Sequence, residues 1–278
     1  MSAVASSSGA RSRRAPRKKK RSPGWVPNQH GAWAMLIVPY LIGVALTIQQ
    51  GRFRWYVLPL FAFWMIGYFC FHATSQWLKS RRASRFVRPM VTYGVLAGVF
   101  GLITWALAGW SLALWVIPYA PILAFALFLA ATRRERDLAG GLLTEVAAAL
   151  ILLVAGHPDP RTAFGDTTGQ VLALICFVYF AGTVWVVKTM IRERGKPGWI
   201  AASIGWHLVA TIAAAVAAGL GHLSWVWPAF FAATTVRAAV LPLNWPMRGR
   251  QLSAARIGIV EIAFSTVLLV CALTVGMR

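Results

Sequence analysis

The feature that most constrains this chain is the alternation of long apolar runs with short loops. A hydrocarbon core is crossed by roughly 20 apolar residues of helix. Nine runs approach or meet that length, at 32–49, 57–78, 90–108, 111–131, 138–156, 170–190, 199–220, 223–242 and 256–276. They predict an all-α, polytopic transmembrane bundle of about nine helices. Two connections, Gly109-Trp110-Ser111 and Gly221-His222, are so short that the spans they join must be antiparallel neighbours.

Charge is distributed with the same period. Of 28 Lys and Arg, 23 fall in the N-terminal segment and in every second loop, among them Lys79, Arg81, Arg82, Arg85, Arg133, Arg134, Arg192 and Arg194. Arg52, Arg54, Arg161 and Arg278 fall on the other side, and Arg237 lies within a span. The positive-inside rule then predicts a multi-pass protein of the bacterial plasma membrane, N-terminus cytoplasmic and C-terminus outside. The net charge of +21 is read as topogenic charge plus attraction to anionic lipid headgroups. Nothing matches a module that reads bases, so nucleic acid is excluded as a partner. Residues 1–24, with RSRRAPRKKKR at 11–21, read as a disordered polybasic cytoplasmic tail, and residues 25–278 as one transmembrane helical domain.

Cys70, Cys176 and Cys271 each fall inside a span and form no CxxC pair, so they read as packing residues. The loop GHPDPRTAFGDTTG reads as a polar turn rather than a metal centre. No cofactor or metal site is expected.

Ionisable groups within spans are costly and therefore candidates for function. His72, Glu145, Lys188, Arg237 and Glu261 all fall in the predicted cytoplasmic halves. Arg237 and Glu261 are on consecutive spans at similar depth, which makes them a candidate structural ion pair. His72, Gln76 and Lys79 share one helix face, as do Lys188 and Arg192. Asn28, His30 and Trp33 stand at the mouth of the first span, and Glu193 follows the sixth. Together these residues are candidates to hold an anionic headgroup in a cytoplasm-facing cavity. The alternative is a set of independent interfacial residues that snorkel or pair.

PNQHGAWAMLIVPYLIGV at 27–44, GTVWVVKTMIRERG at 182–195 and RIGIVEIAFS at 256–265 closely resemble the YwiC-like family of bacterial integral membrane proteins. That resemblance implies a membrane protein and names no reaction. A more distant resemblance is to UbiA-type prenyltransferases, carried by the Pro…Trp…Pro…Gly layout of the first span and by Arg85-Phe-Val-Arg88-Pro89. It implies a UbiA-like arrangement, with diphosphate sites after spans two and six. Those enzymes use paired carboxylates to hold Mg²⁺, yet Phe71 to Pro89 contains no acid and the second region only Glu193. The expectation is therefore metal-independent binding or transfer of an isoprenoid or lipid phosphate. The alternatives are a transporter of a small anion or proton-coupled solute, and a non-catalytic membrane partner subunit. Whether the chain is an enzyme, and whether it forms oligomers, the sequence leaves open.

Overall fold

The computed structural model describes residues 24–27, 32–134, 137–247 and 253–275. The expected tail lies outside the described residues except for Gly24. Among the described residues there is no strand. The helices are α1 (Ala32–Gln49), α2 (Val57–Lys79), α3 (Val87–Ala108), α4 (Val116–Ala131), α5 (Leu138–Gly156), α6 (Pro160–Ala163), α7 (Thr167–Ile191), α8 (Pro197–Gly219), α9 (Val226–Met247) and α10 (Ala254–Thr274). Among the described residues eight helical stretches are long and apolar enough to cross a membrane, α3 and α4 being counted with the 3₁₀ turns that precede them (Ser84–Ala108 and Trp110–Ala131), and the apolar stretch Trp33–Gln49 of α1 is shorter. The chain is an all-α polytopic bundle, a multi-pass membrane protein.

Local chemistry explains where the helices begin. Asp166 accepts the Gly169 amide at 2.9 Å, which starts α7 three residues before the expected span. Pro197 opens α8, where its missing N–H costs nothing. Ser253 caps α10 by accepting the Arg256 amide. The turn after α3 needs Gly109, whose φ of +97° L side chains rarely adopt. Residues 110–115, expected to begin the fourth span, form a 3₁₀ turn instead. Helix α9, the eighth expected span, runs through Pro242 to Met247, about a turn past its expected end at 242.

Helices α2, α3 and α4 pack on one another, as do α7, α8, α9 and α10, with α1 and α5 between the two groups. The α1–α5 seam is tight. A Cβ at Gly43 would collide with the Leu152 carbonyl oxygen, so the two backbones touch. Close backbone approach through small residues is how helices associate in lipid, where no hydrophobic drive separates helix from tail. Buried tyrosines tie the seam to α2: Tyr56 donates to the carbonyls of Val154 and Ala155 at 2.8 and 2.7 Å, and Tyr40 donates to that of Val57. Side chains such as Val95, Leu102 and Val209 are more than 60% exposed, marking α3 and α8 as lipid-facing.

The loops segregate into two ends. Arg133 donates to the Lys79 carbonyl at 3.2 Å, joining two Arg-rich loops at what is called here the basic end. At the opposite end Arg52 meets Asp166 at 3.3 Å and the Trp115 indole donates to the His157 carbonyl at 2.8 Å.

Gly43→Ala forces α1 and α5 apart and is expected to lose about 1–3 kcal/mol of stability. Gly67→Ala, with nothing within 4 Å of the added Cβ, is expected to lose none. Thermal unfolding of the two variants in nanodiscs checks the difference.

Candidate functional site

Four helices converge on one buried polar cluster. Arg237 on α9 donates from Nη1 to Oε2 of Glu261 on α10 at 2.6 Å. Thr183 on α7 donates to the same oxygen at 2.8 Å. His207 on α8 completes the group, with Nε2 3.2 Å from Arg237 Nη2. All four residues are buried.

The ring state of His207 follows from its partners. Its Nδ1 lies 2.7 Å from the Ser203 carbonyl, which can only accept, so Nδ1 carries the hydrogen. The guanidinium can only donate, so Nε2 presents its lone pair. His207 is therefore neutral in this arrangement. Its ring fits because residue 182 is glycine: a Cβ there would lie 2.7 Å from Nε2.

Aromatic rings sheathe the cation, with Tyr179 and Phe264 centred 5.6 and 4.8 Å from the guanidinium carbon. Tyr179 Oη lies 3.2 Å from Ser265 Oγ, whose own hydrogen goes to the Glu261 carbonyl at 2.7 Å. Arg237 Nε, Glu261 Oε1 and Ser203 Oγ have no hydrogen-bond partner among the described residues. A groove of about 540 Å³ runs between α9 and α10, walled by Val236, Val240, Leu241, Val260 and Phe264 with Arg237 at its side.

The cluster is deep. Its members stand seven to ten residues in from the helix termini at the basic end. At 1.5 Å per residue this is about 10–15 Å along the helix axes; the apolar span of α9 ends at Leu243, six residues past Arg237. The extension of α9 to Met247 adds about a turn of helix between Arg237 and the α9 terminus. Thr183 and His207 are the members that the sequence reasoning missed; a threonine in an apolar span carries no signal, whereas the histidine does. An imidazole ten residues into an apolar helix was its signal.

The other candidate residues are dispersed. Asn28 and His30 lie outside the described residues. Trp33 packs edge-on against Phe69, ring centres 5.6 Å apart. His72, Gln76 and Lys79 are half-buried along α2. Lys188 places Nζ 5.4 Å from the Trp199 ring centre, and Trp199 meets Trp185 at 5.3 Å. Arg192 is the C-cap of α7, and Glu193 pairs with Lys196 at 2.7 Å. The chief partner of α2 is α3, whereas α7 packs mainly on α5 and α8, so the two basic stripes stand in different helix groups. Glu145 is 2% exposed and joins none of these residues.

At the opposite end, Asp166 ties three segments together. Its Oδ2 meets His157 Nε2 at 2.8 Å and Arg52 Nη2 at 3.3 Å, while Oδ1 caps α7. His157 Nδ1 lies 3.0 Å from Thr162 Oγ1. Burial pushes the Asp166 carboxyl up, but the Gly169 amide, His157 and Arg52 outweigh it and hold it below its ordinary value.

Residues 26–156 match the model of the family described as YwiC-like protein. The chain is similar to the uncharacterized protein YwiC of Bacillus subtilis (strain 168), 29% identical over 240 residues, 85% of this chain and 92% of that relative. It is also similar to an uncharacterized protein of Haemophilus influenzae (strain ATCC 51907 / DSM 11121 / KW20 / Rd), 25% identical over 246 residues, 87% of this chain and 94% of that relative. No solved structure matches it. The family match ends with α5, so the polar cluster on α7–α10 lies beyond it.

Two measurements test these contacts. Glu261→Gln leaves Arg237 buried without its counter-charge and is expected to cost about 3–5 kcal/mol. The double variant Arg237→Met, Glu261→Met should recover most of that loss in thermal unfolding. Because folding lowers the Asp166 value, its contribution is complete above the ordinary 3.8 and lost as pH falls through the lowered value. Melts of wild type and Asp166→Asn should therefore differ by about 1–3 kcal/mol at neutral pH and converge in strong acid.

Proposed function

We propose that this YwiC-like, multi-pass membrane protein is a proton-linked carrier of small anions, with Arg237, Glu261 and His207 as its exchange site. The observation that supports this reading is the pairing of a guanidinium and a carboxylate, buried among four helices, with Arg237 Nε and Glu261 Oε1 still unpartnered among the described residues. A purely structural pair in so apolar a place is best served by satisfying every polar atom. Spare donor and acceptor capacity instead fits a site that exchanges partners.

The chemistry follows from competition for one cation. Glu261 and an incoming anion both seek the Arg237 guanidinium. A proton on Glu261 neutralises the carboxylate and frees Arg237 for the anion. Loss of that proton restores the internal pair and expels the anion, so one proton travels with one negative charge. His207, whose lone pair faces Arg237, holds the guanidinium in place. The charge bias of the loops supports a plasma-membrane location with the basic end cytoplasmic.

A second reading has its own observation. Lys188 lies over Trp199 at the basic end, beside Trp185. A cation on an aromatic shelf suits a lipid or isoprenoid phosphate, held without metal, and native mass spectrometry with polyprenyl phosphate in the presence and absence of Mg²⁺ tests it.

The carrier reading is tested in proteoliposomes with labelled acetate, lactate and phosphate under an imposed pH gradient. Wild type should accumulate at least one of them against its gradient. Arg237→Gln should abolish uptake, and Glu261→Gln should retain exchange while losing proton coupling. His207→Gln, which keeps an acceptor beside Arg237, should retain reduced uptake. No gradient-driven uptake by wild type, or equal uptake by wild type and Arg237→Gln, overturns the reading.

A further inference from the structure

Glu145 stands apart from the Arg237 network and needs its own explanation. It lies on the face of α5 that packs against both α1 and α7. On that face Gly141 touches Val184 of α7, where a Cβ would come within 2.8 Å, and Leu152 touches Gly43 of α1. Glu145 sits between these two close contacts, one turn from the first and two from the second. It is 2% exposed, and its Oε2 has no hydrogen-bond partner among the described residues. No ion pair among the described residues engages it. The nearby Thr144 hydroxyl is spent on the Gly140 carbonyl at 3.0 Å.

The titratable groups on the surrounding helices are all directed elsewhere. Tyr40 on α1 donates to the Val57 carbonyl, and Tyr119 on α4 donates to that of Ala147 at 3.0 Å. On α7, Cys176 is a buried free thiol and Tyr179 joins Ser265. Lys188 is a turn beyond Val184 towards the basic end, while Glu145 is a turn from Gly141 in the other direction, so about two turns separate them. Arg161 of α6 pairs with Asp159 at 2.7 Å. An isolated carboxylate in such a place is strongly unfavourable, and the group binds a proton instead.

We infer that Glu145 is a proton-binding site in the α1–α5–α7 seam, separate from the Arg237–Glu261 pair. It gives the seam an intramembrane acid that ionises only when α5 separates from its neighbours. This inference does not rest on the carrier reading, since Glu145 can hold a proton in a protein that transports nothing.

A lipid-soluble carbodiimide tests it directly. N,N′-dicyclohexylcarbodiimide adds to a protonated carboxyl in an apolar site. The carboxyl proton moves to one carbodiimide nitrogen, the carboxyl oxygen bonds to the central carbon, and the adduct rearranges to a stable N-acylurea with nothing expelled. Peptide mass spectrometry of the protein in nanodiscs should find the adduct on Glu145, in a yield that falls as pH rises. A water-soluble carbodiimide should leave Glu145 unmodified. Glu145→Gln, which mimics the neutral acid, should lose the adduct and keep the wild-type Tm. An unmodified Glu145, labelling that does not depend on pH, or a marked loss of Tm in Glu145→Gln overturns the inference.

Discussion

The ion pair between Arg237 and Glu261 sets the terms for the C-terminal half of the bundle. Two charges buried within a membrane bundle must neutralise each other, and further hydrogen bonds from the protein lower their cost. Meeting that condition takes all four helices. Helix α10 brings the carboxylate, α9 the guanidinium, α7 the Thr183 hydroxyl and α8 the His207 lone pair. Each contact fixes a height along the membrane normal, so the pair registers the four helices against one another. Smaller choices follow, such as glycine at 182 to seat the imidazole and aromatic rings at 179 and 264 to cover the cation.

The seam of α1 and α5 answers a different constraint. It links the α2–α4 group to the α7–α10 group and contains no ion pair among the described residues. Its adhesion comes from backbone approach at Gly43, while Gly141 of α5 seats the Val184 side chain of α7 and tyrosine hydroxyls reach carbonyls on neighbouring helices. Such contacts are short-ranged and lose their value after a small displacement. The Arg237 pair, by contrast, attracts over several ångströms. A bundle assembled from these two kinds of contact is expected to part first along the seam, which is where Glu145 is buried.

Much of this was legible in the sequence because the bilayer reduces folding to lengths and signs. Apolar runs and loop charges located nine helices, and the shared depth of Arg237 and Glu261 pointed to their meeting. What the runs could not give were the helix ends. Hydropathy falls at Asn244 and Pro246, yet α9 continues to Met247, because the backbone partners that a proline leaves free can be satisfied locally in a bundle. That extension adds about a turn of helix between Arg237 and the α9 terminus. His207 escaped notice because its importance depends on Gly182 and Ser203, neither of which carries any signal of its own. Whether His72, Glu145 and Lys188 share a cavity depends on which helices are neighbours, and periodicity within a helix does not carry that information.

The apolar cover over the cluster bears on how such a site works. Attraction between opposite charges at fixed distance varies inversely with the effective dielectric, by about fourfold between a protein-like value near 20 and water near 80. With Phe264 over the guanidinium and the α9–α10 groove lined by valines and leucine, Arg237 and Glu261 are held at the strong end of that range. Any motion that parts α9 from α10 admits a more polar medium and weakens the pair just as it exposes Arg237 Nε and Glu261 Oε1. Opening and loosening are thus one event. Under the proposed carrier function, a competing anion would meet the guanidinium only when its internal partner holds it least, and reclosure would restore the pair's advantage. The same burial that makes the charges expensive also makes their exchange depend on conformation.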